Sequence, residues 1–308
     1  MLSSKSILLL PSFVWSFYLL SQNSDELLNK KDITVGIYVE DIYGIDYKES
    51  KFEIVFWIWV NSNHGIYNFE DGLDIPYSTD MDISAIIHDS TDQGRYHSEC
   101  KIKAVVLNRF DVKNFPFDKQ NINLNIEFAN YSNDEIHISI DGNQSKFTPE
   151  YIEDWITKDY EVKIVSNNYG SNFGDLRTNG SISYPGVEIK VNLVRNAWNL
   201  YFKSFMTLLL AFGLAGISLF YPNDHSEEKI GLIVGSLFTT IGNKYVADDM
   251  LPIQSTLNLS DKLHLLTILT ITIIVAYSIF EQRLKLKDSF KVDLIVFFVF
   301  LCCFTSGF

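Results

Sequence analysis

Polar and apolar residues alternate along the first two thirds of the chain, and continuous apolar runs replace this pattern in the last third. Alternation with a period of two is typical of a strand with one buried face, because successive side chains point to opposite sides of the sheet. It is clearest in residues 52–60, where every second side chain is apolar. Further alternating segments, separated by Asn, Asp, Gly and Ser clusters, are 33–39, 121–127, 136–140 and 187–193. The pattern predicts an all-β sandwich for residues 22–196.

Four apolar runs follow this region. About twenty residues of helix cross the core of a bilayer, so each run is long enough, or nearly so, to span a membrane. The runs are Leu200–Tyr221, Lys229–Ala247, Leu263–Phe280 and Val292–Phe308. Four basic residues lie between the third and fourth runs, which is typical of a cytoplasmic linker: Arg283, Lys285, Lys287 and Lys291. Residues 197–308 are therefore expected to form an all-α transmembrane domain of four helices.

Residues 1–21 have the arrangement of a secretory signal peptide, with Lys5 followed by an apolar run from Ile7 to Leu20. We therefore expect an integral protein of the plasma or inner membrane whose β-domain is extracellular or periplasmic. Cys100 is the only cysteine in that domain, so its fold is expected to need no disulfide framework.

The second apolar run has an unusual arrangement of small, bulky and polar residues. Steps of three and four place five residues on one helical face: Gly231, Gly235, Phe238, Gly242 and Tyr245. A polar stripe runs beside this face: Ser236, Thr239, Thr240 and Asn243. One interpretation is a small-residue surface for helix packing, with Glu227 and Glu228 favouring the positive end of the helix dipole. The other is a pore-lining helix whose carboxylates form charged rings when several copies surround an axis.

Charge and motifs narrow the possible functions. The formal net charge of −13 arises entirely within residues 21–200, a distribution that repels nucleic acid and attracts cations. The sequence contains no P-loop, HExxH, CxxC or GxSxG arrangement, so we expect neither an enzyme nor a resident cofactor. Asp248 and Asp249 are candidate ligands for a modulatory calcium ion, and the alternative is a solvated helix end.

Residues 114–120, NFPFDKQ, resemble the FPFDxQ signature of pentameric ligand-gated ion channels, the Cys-loop receptor superfamily. The order of a sandwich, VRN at 194–196 and four spans is also similar, as is the pattern EEKIGLIVGSLFTTIG…LP. The resemblance covers the chain after residue 21. Asn108 and Ile122 stand where eukaryotic members have the cysteines of their namesake disulfide, and the last linker is short. The chain therefore resembles the prokaryotic branch.

This resemblance implies a homopentamer in membrane lipid, with an immunoglobulin-like sandwich above a pore formed by five copies of the second span. The face from Gly231 to Tyr245 would line the pore, with Phe238 as the gate. Glu227, helped by Glu228, would form a selectivity ring for permeant cations at the cytoplasmic mouth. A helix rotated by one residue would place the polar stripe on the pore instead.

The resemblance also implies a coupling cluster and an agonist pocket. Asp118 and Arg195 would form an electrostatic cluster against the loop around Pro252, joined by the loop between the first two strands, near Asp46 to Glu49. The alternative is that Asp118 satisfies a turn. The pocket would lie between neighbouring β-domains and would take a small molecule. Its aromatic and carboxylate residues would suit an ammonium group: Glu127, Tyr131, Tyr169, Phe173 and Tyr184. Ala129 stands where an aromatic residue is expected.

The alternative function is a membrane-anchored binding or sensor protein whose spans only pack together. It predicts no ion current. In that case the charged ends and the glycine face of the second span would be packing features.

Overall fold

The computed structural model describes residues 30–174, 180–252, 256–284, 293–299 and 302. The expected signal peptide lies outside the described residues, as do Lys285, Lys287 and Lys291 of the expected linker. Of the expected fourth span, residues 293–299 are helical, and most of the remainder is also outside.

The first part of the chain is rich in strands. They are β1 Lys31–Asp46, β2 Lys51–Ser62, β3 Leu73–Asp74, β4 Ser78–Ser90, β5 Tyr96–Leu107, β6 Lys119–Phe128, β7 Ile136–Ile140, β8 Lys146–Phe147, β9 Tyr151–Ile152, β10 Trp155–Asn168 and β11 Ser183–Arg195. One sheet has the order β4-β5-β2-β1-β7, with β8 also paired to β1, and the other has the order β3-β6-β11-β10-β9. Each of the five segments with predicted alternation is a strand.

The two sheets share one hydrophobic core. In β2 the alternating side chains from Phe52 to Val60 are buried, and in β11 those from Val187 to Leu193 are buried as well. Residues from both strands belong to the same buried cluster. Removal of this apolar surface from water, at about 25 cal/mol per Å², is the main term that holds the sheets together.

Two long strands lack a clear alternation because neither of their faces is well covered. β4 is the outer strand of its sheet, and β10 has only the short β9 beyond it. Most side chains of both strands are exposed or half-buried. A strand with little buried surface has no strong period of two, so the hydrophobic pattern did not predict these elements.

Apart from residues 293–299, the α-helices of the described chain are α1 Phe69–Gly72, α2 Ala197–Ser218, α3 Ser226–Asp249 and α4 Leu259–Leu284. The last three are long and apolar enough to cross a membrane. α4 begins before the apolar run because polar residues cap it. The Asp261 amide donates to the Asn258 side chain at 2.8 Å, and the Asn258 amide donates to the Asp261 carboxylate at 2.9 Å.

Several contacts attach the helices to the sheets. Phe117, in the loop before β6, packs against Trp198 and Tyr201 of α2 with ring centroids 5.4 and 5.6 Å apart. The Leu259 amide donates to the Lys113 carbonyl oxygen at 2.9 Å. Leu251, just after α3, belongs to the core of the β-region. The ends of α2, α3 and α4 are therefore in direct contact with the FPFD loop and the β core.

Candidate functional site

α3 has two different faces in the structure. Phe238 and Tyr245 are 70% and 75% exposed, although both are large aromatic residues. A Cβ atom added to Gly231, Gly235 or Gly242 would meet no described atom within 4 Å. The five residues of the predicted pore face thus form an open surface, and the rest of the described chain does not cover it.

The opposite face of α3 packs against α2 and α4. Its buried residues include Ser236, Thr240 and Asn243, which the sequence placed in the polar stripe. Asn243 donates to the Ser204 carbonyl oxygen of α2 at 2.9 Å, and its side-chain oxygen lies 2.9 Å from His264 Nε2 of α4. Ser236 and Thr240 bond to carbonyl oxygens one turn earlier in α3. These polar groups are satisfied inside the helical part of a single chain, and only Thr239 of the stripe is partly accessible.

The carboxylates at the two ends of α3 have different surroundings. Glu227 and Glu228 are both exposed, and Glu228 lies 3.3 Å from His225 Nδ1. At the other end, Asp248 pairs with Lys244, and Asp249 pairs with Lys48 at 2.7 Å. Each residue of the proposed calcium pair therefore has a lysine partner, and no group of three or more His, Cys, Asp or Glu side chains arranged for a metal occurs among the described residues.

Asp118 and Arg195 meet where the β-region joins the helices. Arg195 Nε lies 3.3 Å from Asp118 Oδ1, and the two side chains are only 6% and 1% exposed. Neither atom has an aligned hydrogen-bond partner among the described residues, so the contact is an ion pair. The other carboxylate oxygen accepts from Gln120 Nε2 at 2.6 Å and from the Tyr47 hydroxyl at 3.2 Å.

Aromatic rings enclose the guanidinium group of Arg195. Its Cζ atom is 4.1 Å from the ring centroid of Trp155, 5.1 Å from that of Tyr47 and 5.5 Å from that of Phe115. Arg195 also donates a hydrogen bond to the Tyr47 hydroxyl. Burial, together with the charge of Asp118, raises the pKa of Tyr47 above its ordinary value, so the phenol stays protonated and donates to the carboxylate.

The structure gives local contacts for Asp46 and Pro252, the other two residues of the predicted coupling cluster. Asp46 accepts from the Glu49 amide at 2.9 Å and so stabilises the β1–β2 turn, while the neighbouring Tyr47 enters the cluster. Pro252 is half-buried, and Leu251 beside it fills part of the β core. Tyr47 lies within the loop near Asp46 to Glu49 that the resemblance implies at this cluster, although the sequence does not single it out.

Glu127 is the buried carboxylate of the candidate ligand site. It lies at the end of β6, opposite Gly186 of β11 and Asp74 of β3, and it is 2% exposed. The Tyr169 hydroxyl and Asn167 Nδ2 each donate to its Oε1 atom at 2.6 Å. Burial raises the pKa of Glu127, the two hydrogen bonds oppose this shift, and the charge of Asp74 adds to it.

Four of the five predicted ligand residues lie together. The Tyr169 ring centroid is 5.3 Å from that of Phe173 and 6.0 Å from that of Tyr184. The hydroxyl of Tyr169 donates the hydrogen bond to Glu127 described above. Tyr131 instead packs against Tyr67, with Lys31 Nζ 5.2 Å from its ring centroid. The arrangement places a buried carboxylate beside a cluster of aromatic rings, which are the group types that attract an ammonium ligand.

Replacement of Glu127 by Gln is expected to change how stability depends on pH. The pKa of Glu127 in the folded protein is raised above its ordinary value of 4.5. The contribution of the protonated side chain to stability is therefore complete below the ordinary pKa and is lost as the pH rises through the pKa of the folded state. We expect the unmodified protein to lose stability relative to the Glu127→Gln variant across this window. Thermal unfolding of both proteins in detergent between about pH 4 and pH 7 measures this loss of stability. A stability difference between the two proteins that does not change with pH would contradict a raised pKa for Glu127.

Comparisons of the chain with models of known protein families and with curated proteins find no match.

Proposed function

We propose that this protein is the subunit of a homopentameric ligand-gated ion channel that passes cations. In this proposal the two sheets form an immunoglobulin-like sandwich outside the membrane, in the extracellular space or periplasm. The helical part, completed by a fourth span, forms the transmembrane domain. The resemblance of residues 114–120 and of α3 to the pentameric channel superfamily supports this assignment.

The observation that carries the proposal is the open face of α3. In a membrane this uncovered face would meet lipid, another subunit or an aqueous axis, and the proposal assigns it to the axis because carboxylates lie at its end. The opposite face already holds the buried polar groups. Five copies with the open face turned inward would place Glu227, Phe238 and Tyr245 along one pore, since steps of seven and eleven residues return to nearly the same side of a helix.

The arrangement suits gating from the β-region. Asp118 and Arg195 lie at the joint, the FPFD loop touches α2, and Leu251 anchors the end of α3 in the β core. In the proposed mechanism a ligand near Glu127 shifts the β-region, this contact network transmits the shift, and α3 changes its position at the axis. Small amines, protons and divalent ions are the candidate stimuli.

Reversal potentials in asymmetric salt test the proposal. We expect images of the purified protein to show particles with five-fold symmetry. We expect the same protein to pass a cation current in bilayers. We also expect Glu227→Gln to weaken cation preference more than Asp249→Asn does. The physical reason is that Glu227 is exposed on the open face, whereas Lys48 already neutralises Asp249 at 2.7 Å.

Two outcomes would contradict the proposal. A reversal potential near the chloride equilibrium value in the unmodified protein would refute cation selectivity. Monomeric particles without current, whatever the pH, calcium or amine concentration, would favour the membrane-anchored sensor.

A further inference from the structure

A buried ion pair joins the start of α3 to the end of α4. Lys229 Nζ lies 2.8 Å from Glu281 Oε2, and the two side chains are 0% and 2% exposed. Burial of one of these charges alone would be very unfavourable, so the pair holds both side chains between the helices. The hydropathy of the sequence shows neither the partner nor the burial.

The helical period sets the direction in which Lys229 leaves α3, and the ion pair holds its charge on that side, away from the two glutamates before it. Successive residues of a helix are separated by about 100°, so Lys229 lies about 200° around α3 from Glu227 and about 180° from Phe238. Glu227 and Glu228 are exposed, whereas Lys229 points into the protein. In the sequence EEK a lysine follows two carboxylates, but in the structure its charge is compensated by Glu281 of another helix.

We propose that Glu281, which is outside the pore, determines its charge selectivity by holding Lys229 away from the cytoplasmic mouth. This inference rests on the proposed channel function. With the pair intact, the ammonium group of Lys229 does not oppose the carboxylates of Glu227 and Glu228 at the mouth. Glu281 is a positioning residue: it acts on permeant ions through Lys229.

The Glu281→Gln variant tests this role. Without its counter-charge, the flexible Lys229 side chain is expected to extend toward water at the helix end, because an unpaired ammonium group is unfavourable inside the protein. Its charge would then offset Glu227. We expect the reversal potential in asymmetric sodium chloride to move toward the chloride equilibrium value. We expect the double variant Lys229→Met with Glu281→Gln to restore the original reversal potential, since it has no lysine to relocate.

Acetylation by acetic anhydride, followed by mass spectrometry, provides a measurement that needs no current. In the unmodified protein Lys229 should be protected, while Lys48, whose side chain is 58% exposed, serves as the reactive reference. In Glu281→Gln, Lys229 should become reactive. If Lys229 reacts as fast as Lys48 in the unmodified protein, the inference is overturned, even if the variant cannot be produced.

The outcomes separate this inference from the function on which it rests. A cation current with the same reversal potential in the unmodified protein and in Glu281→Gln overturns the inference alone. A lack of current in the unmodified protein, with Lys229 still protected, overturns the channel proposal and the selectivity role together, and leaves the ion pair as a helix contact.

Discussion

Replacement of Asp118 by Asn is expected to abolish gating or assembly. The substitution keeps the shape of the side chain but leaves Arg195 as an uncompensated charge in a site where its side chain is 6% exposed. Loss of one member of a buried pair costs about 3–5 kcal/mol. Arg195→Gln should have a comparable effect, because it leaves the carboxylate of Asp118 as the uncompensated charge. Current from reconstituted protein and the thermal unfolding midpoint in detergent measure the two consequences separately.

The ion pair between Lys48 and Asp249 provides a matched control at the same joint. Its side chains are 58% and 78% exposed, so solvent screens the interaction and Lys48→Ala should change little. In a double-mutant cycle, Asp118→Asn and Arg195→Gln should be strongly non-additive. Additive effects would mean that the two residues act independently, and this would remove the central contact from the proposed coupling route.

Phe238→Ala is expected to raise the basal current by about an order of magnitude or more, equivalent to ~1.4 kcal/mol in the closed–open equilibrium. Phe238 is 70% exposed on the open face of α3 and lies between Gly235 and Gly242, where an added Cβ meets nothing. Five such rings would form an apolar constriction that excludes water when closed, and alanine would widen it. Single-channel recordings without added stimulus measure the change.

Phe280→Ala is the appropriate control for this experiment. Phe280 is 58% exposed on α4, so the same side chain is removed from an exposed position on another apolar helix. Equal basal currents in the unmodified protein and both variants would argue against a gate at Phe238. In a Thr239→Cys variant, reaction of the cysteine with a thiol reagent that enters the pore would instead favour a rotated helix. The other residues of the polar stripe, Ser236, Thr240 and Asn243, are buried against the other helices.

Much of the architecture follows from local patterns. A strand half covered by a core must alternate, and β2 and β11 do so because each has a buried and an outward side. β4 and β10 were not predicted because they lie at or near sheet edges and bury little. The helices were predicted from length and apolarity, but the polar ends of α4 were missed because capping and ion pairing do not contribute to hydropathy.

The candidate sites were predictable only in part, for a related reason. The motif at residues 114–120 and the arginine before α2 indicated Asp118 and Arg195, and the structure joins them. The roles of Tyr47, Gln120 and Trp155 depend on contacts between distant segments, which no local period encodes. The resemblance places Tyr131 with Glu127, but Tyr131 lies in the turn after β6, where its ring packs against Tyr67.

The periodicity of α3 by itself determined which residues share a face, because a helix of 3.6 residues per turn fixes their relative directions. It did not determine which face is covered, because that depends on where α2 and α4 place their own polar groups. Ser204 and His264 bond to Asn243 and turn the polar stripe inward, while Glu281 pairs with Lys229 on the side of α3 away from Glu227. The open face with Phe238 and the exposed carboxylate of Glu227 are therefore consequences of tertiary packing, since buried polar groups must find partners and the side of the helix without them is left uncovered.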